Sequence, residues 1–308
     1  METTNVAGAT AVQGTKKKLK RKQTVFITLM LAWPILHLLV FWFYVNFNSI
    51  LMAFQDFAGN FTLRNFQDYF VDLKDTNGMA FKSIVNSLIG FLVGEFISLP
   101  VALIFSYFMF KGVAGSKIFR VIFFLPSIIS AVVLTTIYGY LLKSDGPINA
   151  MLMNMGLQYV PFLLSEKWLL PSCLFYSFWF GRGMDILLIS GAMARIPEDI
   201  FEYSRLEGVG FMREFVQIVI PLIFETVSSL MIMSAVGVFT GMGQTLLLTP
   251  ITFEKYTSTI AYYIYYCVNN ANVQEYAAAV GFVFTCIGVP IIMLLRKALG
   301  MISRNIEF

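Results

Sequence analysis

Six apolar stretches, each at least 20 residues long, divide this chain of 308 residues. A helix needs about 20 apolar residues to cross a bilayer core about 30 Å thick. We therefore expect an all-α membrane protein with six membrane-spanning helices. The composition agrees, since only 13% of the residues are charged, against about a quarter in soluble domains. The predicted spans are residues 25–47, 84–110, 118–142, 168–193, 215–240 and 276–295.

Lysine and arginine residues in the loops and at the ends of these spans predict the orientation. With the N-terminus in the cytoplasm, the inner segments hold 15 of these residues and the outer segments hold 6. Cytoplasmic loops of membrane proteins carry the excess of positive charge. We therefore expect both termini in the cytoplasm and a multi-pass protein of the bacterial plasma (inner) membrane.

The spans and the charges together divide the chain into regions. Residues 1–23 are predicted to be a disordered basic cytoplasmic tail, because a Gly/Ala/Thr-rich segment precedes the cluster KKKLKRK. Residues 24–83 hold the first transmembrane helix and an external segment. Residues 84–297 form the main transmembrane domain, and residues 298–308 a cytoplasmic C-terminal tail. The first apolar stretch is too long for a cleaved signal peptide and lacks its small-residue cleavage site.

A polar run, IPEDIFEYSRLEGVGFMREFVQIVIP over residues 196–221, separates the fourth and fifth predicted spans. The charge count places it in the cytoplasm. Pro197 suits the start of a helix, and the acidic residues Glu198 and Asp199 follow at the positive end of the helix dipole. Gly208 and Gly210 permit a tight turn. We expect two short helices joined at these glycines; the alternative interpretation is a solvated loop.

This run resembles the cytoplasmic loop of binding-protein-dependent ABC importer permeases. The family signature has a Glu followed by two alanines, then a Gly, an Ile and a Leu-Pro pair, and Glu202, Gly208, Ile218 and Pro221 stand at the matching points. Residues 119–157 and 276–285 are similar to other segments of the same family. The resemblance covers about residues 84–297 and is of the carbohydrate type, akin to the maltose permeases.

The resemblance implies the type I ABC importer permease fold, with six transmembrane helices and cytoplasmic termini. It implies a coupling helix in residues 195–221 that docks on a separate ABC ATPase dimer. ATP and Mg belong to that partner, so this chain is expected to bind no cofactor or metal and to be no enzyme. The other implied partners are a second homologous permease subunit, an extracytoplasmic solute-binding protein, membrane lipid and a carbohydrate substrate, either neutral or acidic.

The same resemblance assigns roles within the loop. Glu202 is the implied charged contact with the ATPase, and Gly208 sets the angle between the short helices. The chain departs from the family at Tyr203 and Ser204, which replace the two alanines, and at Glu207, which replaces an Asp. The bulk of Tyr203 requires a wider pocket or a face turned away from the ATPase. The expected coupling residues are Glu202, Tyr203, Ser204, Glu207, Gly208 and Pro221.

Ionisable residues inside spans are functional candidates, because each costs about 2.5 to 3.5 kcal/mol at the bilayer centre. Arg182 and Asp185 lie three residues apart, on one face of the fourth predicted span. They form either an internal ion pair or, together with Trp179, part of the substrate path, since sugars stack on aromatic rings and a guanidinium binds acidic sugars. Further candidates for contact with the binding protein or its sugar lie in the external segment 241–274: Gln244, Tyr262 and Asn270.

Missing motifs exclude several other functions. No GxxxxGK followed by Ser or Thr is present, so the chain should not hydrolyse ATP. One histidine and three scattered cysteines form no metal-ligand or disulfide pattern. The sequence also has no basic face of the kind that binds nucleic acid. The remaining alternative is a self-contained secondary transporter or channel for a small polar solute. Such a protein is expected to have inverted repeats or paired broken helices, and the sequence indicates neither.

Overall fold

The structure of the protein is a computed structural model, and it describes residues 23–269, 271 and 273–304. Within these ranges the regular elements are helices, apart from an isolated antiparallel bridge between Gln55 and Phe61. The predicted all-α architecture is therefore confirmed. The predicted basic tail lies outside the described residues except at Gln23.

Fifteen helices follow one another along the described chain, and three contain a short π-helical turn, at Leu38–Tyr44, Gly94–Ser98 and Phe215–Val219. A 3₁₀ turn at Ile251–Phe253 precedes one of the shortest helices. The helices are α1 (Gln23–Ala53), α2 (Arg64–Asp72), α3 (Met79–Phe110), α4 (Ser116–Ile128), α5 (Ala131–Leu142), α6 (Pro147–Asn154), α7 (Glu166–Phe180), α8 (Gly183–Met193), α9 (Glu198–Leu206), α10 (Phe211–Leu222), α11 (Phe224–Thr240), α12 (Gly243–Leu248), α13 (Glu254–Thr257), α14 (Ile260–Asn269) and α15 (Gln274–Arg304).

Only half of the six predicted spans are single continuous helices. By length and apolar composition α1, α3 and α15 can each cross a membrane. The third and fifth predicted spans are bent pairs, because α4 meets the next helical segment at 106° and α10 meets α11 at 73°. The fourth is split into α7 and α8 at Gly181 and Arg182. The described chain thus holds three candidate spans, or up to five if each bent pair is one, and it contains broken helices that the sequence did not indicate.

Backbone geometry explains two of these breaks. Ile129 and Ser130, between α4 and α5, are extended with ψ of 142° and 135°, and Pro126 just before them offers no N–H to the helix. Ile223, between α10 and α11, has φ −100° and ψ 8° and follows Pro221 by two residues. Hydropathy does not reveal these breaks, because the sequence stays apolar through both.

The described C-terminal end of the chain is helical. The predicted tail begins at residue 298, and α15 continues into it as far as Arg304. The last four residues, 305–308, are outside the described ranges.

Three apolar clusters hold the helices together. One lies between α3 and α8 and includes Phe201 of α9 and Phe215 of α10, so the polar run is anchored in the core. Another joins α2, α14 and α15 around Tyr69, and the third joins α5 and α7 around Leu169.

Helix α1 leaves most of its apolar surface uncovered. Trp33 is 72% exposed and Leu29 is 70% exposed. Its C-terminal part, Val45–Ala53, packs on another long helix, α15. Apolar surface of this extent suits lipid or another membrane subunit.

Asn149 fixes the connection that follows α5. It is fully buried, its amide donates to the carbonyls of Lys143 and Val160 at 3.0 and 3.1 Å, and its Oδ1 accepts the Val160 N–H at 3.0 Å. Because Asn149→Ala leaves these buried groups unpaired, we expect it to lower the free energy of unfolding by about 2 kcal/mol. Asn154→Ala, at an exposed site on the same helix, is the control, and thermal denaturation in detergent compares the two; equal stability would contradict the prediction.

Candidate functional site

The polar run forms a short helix with defined ends. Helix α9 begins at Glu198, immediately after Pro197, with two acidic residues in its first turn. It ends in a Schellman motif, in which Gly208 N–H donates to the Arg205 carbonyl at 3.1 Å and Val209 N–H donates to the Ser204 carbonyl at 3.0 Å. Gly208 has φ +69°, a conformation that favours glycine. The turn expected from the sequence therefore lies at Gly208.

Helix α9 has one buried face and one exposed face. Phe201 and Ser204 are buried, each 4% exposed. Glu202 lies on the exposed face, where Tyr203 is 70% exposed and Leu206 is 84% exposed. Charged and apolar side chains thus share an uncovered surface of the kind that contacts another protein. Tyr203 projects outward beside Glu202, so a protein that covers this surface must accommodate the Tyr203 ring.

A buried carboxylate lies beneath α9. Glu214 is 5% exposed, and its side chain forms an ion pair with the Lys111 ammonium. Tyr107 Oη donates to Glu214 Oε1 at 2.8 Å, and Ser204 Oγ donates to Oε2 at 3.4 Å. The sequence alone did not indicate this network, because Glu214 and Lys111 lie far apart along the chain. Their only signal in the sequence is position, since each directly adjoins a predicted span.

Aromatic rings enclose these polar groups. The Tyr107 ring lies 4.8 Å from the ring centroids of both Phe211 and Phe215. Lys111 Nζ lies 4.9 Å from the centre of the Phe201 ring, within the range of a cation–π contact. The charges are therefore shielded from water on several sides.

The structure pairs the two predicted intramembrane charges with each other. Arg182 Nη1 donates to Asp185 Oδ2 at 2.7 Å, and both side chains are about one-fifth exposed. The Arg182 guanidinium also abuts Gly94 of α3, where a Cβ would lie 2.7 Å from Nη2. The buried side chain of Glu95 lies next in sequence, and its Oε2 has no hydrogen-bond partner among the described residues. Polar groups of two neighbouring helices thus meet at the break between α7 and α8.

The other substrate-path candidates are not brought together. Trp179 is 54% exposed and lines, with Arg182, a cavity of about 40 Å³, which is too small for a sugar ring. Tyr262 is 3% exposed, so it lies inside α14 packing rather than on a surface. The side chain of Gln244 and the whole of Asn270 fall outside the described residues.

A larger cavity, of about 530 Å³, opens between α2, α14 and the start of α15. Tyr263 and Tyr266 of α14 line it, so the predicted external segment contributes tyrosines other than the one chosen from the sequence. Asp56 also lines it. The Asn60 backbone N–H, with further donors from Asn60 and Ala58, holds the pKa of Asp56 below its usual range. The cavity wall therefore combines aromatic rings with at least one firmly ionised carboxylate.

Comparison with known proteins identifies the class of protein. No family model matches the chain. The probable ABC transporter permease protein YurN of Bacillus subtilis (strain 168) is 26% identical over 189 residues, which cover 59% of this chain and 63%, less than two thirds, of YurN. YteP of the same organism, a polygalacturonan/rhamnogalacturonan transport system permease protein, is 24% identical over 297 residues, covering 91% of this chain and 92% of YteP. The chain is a permease subunit of an ABC transporter.

Solved structures show that this permease also has the corresponding fold. A bacterial ABC transporter involved in the import of the acidic polysaccharide alginate matches with a TM-score of 0.80 and 22% identity, over 95% of this chain and 99% of the other. A second structure, of the alginate transporter in complex with an alginate pentasaccharide-bound periplasmic protein, gives a TM-score of 0.79 and 22% identity, over 94% and 97%. The family predicted from the polar run is confirmed, and the relatives that the chain matches are transport permease subunits.

Proposed function

We propose that this permease is one of two homologous membrane subunits of an ATP-driven importer for a carbohydrate delivered by an extracytoplasmic solute-binding protein. The observation that carries the proposal is the likeness to YteP over 91% of the chain. The alginate transporter adds support, since it is similar over nearly its whole length and was solved with a sugar-loaded periplasmic protein. Both of these proteins handle acidic polysaccharides, so an acidic oligosaccharide is the first substrate to test.

The proposed topology has six spans, with both termini in the cytoplasm of a bacterial plasma membrane. The 15-to-6 distribution of Lys and Arg supports this orientation. Three continuous helices and two bent pairs supply candidate spans, and the pair α7 and α8 is assigned as the remaining one. This orientation puts α9 in the cytoplasm and the 530 Å³ cavity outside.

In this arrangement α9 is the coupling helix, and its exposed face docks on a separate ATPase dimer that binds ATP and Mg. Glu202 supplies the charged contact, while Tyr203 and Glu207 lie beside it on the exposed side. Ser204 faces inward, so it serves the fold of the loop rather than the docking surface. Gly208 and Pro221 set the two bends through which movement of α9 reaches α11.

The proposed substrate path passes the break between α7 and α8. Trp179 supplies an exposed aromatic surface there. Arg182 retains further N–H donors beyond the one bonded to Asp185. Gln244 and Asn270 remain proposed contacts on the outer side, whereas the buried Tyr262 is not retained as one.

A self-contained secondary transporter is the second candidate, and the broken helices favour it, because such breaks are common around transporter binding sites. It gives no role to the exposed surface of α9. The two candidates differ in whether uptake requires an ATPase.

The test is sugar uptake by proteoliposomes that contain this permease with its candidate partner permease, ATPase and binding protein. Replacing Glu202 with Ala should reduce uptake by about tenfold or more, since loss of a partner from a docked charge pair costs several kcal/mol. Binding-protein association at the outer face should be unchanged. Lys117→Ala, which removes another exposed charge from α4, is the control. Normal uptake by the Glu202 variant would count against α9 as the coupling helix, and uptake without any ATPase would favour the second candidate.

A further inference from the structure

The connection between α9 and the rest of the chain is compliant on its C-terminal side. Gly208 and Gly210 flank a single residue, and a Cβ added at either would meet no atom within 4 Å. Such a turn has few side-chain contacts to hold its angle. Movement imposed on the exposed face of α9 would be absorbed at this turn unless another contact fixed the helix.

The buried face of α9 supplies that contact. Phe201 and Ser204 are its two buried residues, and both touch the network around Glu214. Phe201 packs against Phe110, with ring centroids 5.2 Å apart, and lies under the Lys111 ammonium. Ser204 donates to the Glu214 carboxylate. The buried face of α9 therefore meets this cluster as well as the apolar core around Phe201.

The cluster joins the end of α3 to α9 and α10, which follow much later in the sequence. Tyr107 and Lys111 are at the end of α3, Ser204 is in α9, and Glu214 is in α10. A single carboxylate accepts hydrogen bonds from α3 and α9 at once. The Glu214 carboxylate thus connects α3, α9 and α10 across the glycine turn. The angle between α9 and α10 therefore cannot change without breaking contacts to α3.

The ion pair between Lys111 and Glu214 fixes the geometry of this arrangement. The Lys111 and Glu214 side chains are 23% and 6% exposed, and removing one member of a buried ion pair leaves the other uncompensated. Each charge therefore holds the other in place. An apolar contact of the same size would tolerate sliding more readily, because it has no preferred direction.

We propose that Lys111 and Glu214, with Tyr107 and Ser204, form a brace that passes movement of α9 directly to α3. The brace residues are positioning residues, since none reaches substrate or nucleotide. The inference rests on the proposed coupling role of α9. It adds that force enters the membrane through α3 as well as through the bends leading to α11.

The experiment measures sugar imported per ATP hydrolysed in the complete reconstituted transporter. Lys111→Met keeps the length of the side chain and removes its charge. We expect the ratio to fall by about tenfold, corresponding to about 1.4 kcal/mol of lost coupling, while the ATPase still co-purifies. Lys111→Arg should retain most of the ratio because it keeps the charge. Lys117→Met, the same change at an exposed site, should have no effect.

A double variant, Lys111→Met with Glu214→Gln, carries no unpaired buried charge and separates coupling from folding. If the double variant gives the wild-type yield of folded protein and imports less sugar per ATP, the result supports the brace. If both the yield and the sugar imported per ATP are as in the wild type, the result overturns the brace. Faster amide hydrogen exchange in α9, with α11 unchanged, is a second expected result, and unchanged exchange in α9 also overturns it. Failure of the underlying function looks different, because the unmodified transporter would then import sugar without ATP hydrolysis.

Discussion

Replacing Gly183 with Ala should destabilise the permease by about 2 kcal/mol or more, as overpacking of a close helix contact does. A Cβ at this position would lie 2.3 Å from the carbonyl oxygen of Phe123 and 3.5 Å from the Cα of Phe124. These are backbone atoms of α4, so a rotamer change cannot relieve the contact. The helices α4 and α8 must separate, and the side chains that line the gap between them lose van der Waals contacts.

A matched control lies on the same helix. Gly191 is exposed, and a Cβ there meets nothing within 4 Å, so Gly191→Ala should stabilise α8 by up to about 1 kcal/mol through helix propensity. The two substitutions are chemically identical, but their effects on the free energy of unfolding are expected to have opposite signs. Melting temperatures in detergent should show a decrease of about 4 °C for the first and no decrease for the second. A Gly183 variant as stable as the wild type would show that α4 and α8 do not touch at this point.

The second large effect is expected at the intramembrane ion pair. Asp185→Ala leaves the Arg182 guanidinium without its carboxylate, and Arg182→Leu leaves the carboxylate alone. Removing one partner of a buried pair typically costs about 3 to 5 kcal/mol. Because both side chains are about one-fifth exposed, we expect the lower part of that range, with a reduced yield of folded protein for each single variant.

The double variant, Arg182→Leu with Asp185→Leu, separates a structural role from a role in substrate binding. It should recover the yield, because neither member of the Arg182–Asp185 pair is left without its partner. Uptake of an acidic oligosaccharide should stay well below uptake of a neutral one, since the guanidinium that binds a carboxylate is gone. Equal recovery of both uptakes would identify the pair as purely structural and remove Arg182 from the substrate path.

Local signals in the sequence predicted the polar run well. Pro197 and the acidic residues after it are helix-start signals that act within one turn, and Gly208 supplies a backbone conformation that few other residues adopt. These effects depend on neighbours along the chain, so α9 and its turn were predictable. The same is true of the apolar lengths that identify α1, α3 and α15.

Contacts between distant segments were not predictable in this way. The burial of Glu214 depends on Lys111 and Tyr107, more than a hundred residues earlier, which no spacing rule connects to it. Tyr262 was chosen from a run of tyrosines, whereas the fold turns Tyr263 and Tyr266 to the cavity of about 530 Å³. Helix rotation decides which ring faces outward, and neighbouring helices set that rotation.

By itself, the sequence predicted a helical chain, apolar segments long enough to cross a membrane and a loop that resembles that of ABC permeases, because hydropathy and turn chemistry are local properties. Only the tertiary structure decided where the apolar segments bend and which charges pair. Those outcomes depend on close approach between separate helices, such as Gly183 against Phe123 and Glu214 against Lys111. Steric fit and the removal of water from a charge act through space, so they appear only once the chain is folded.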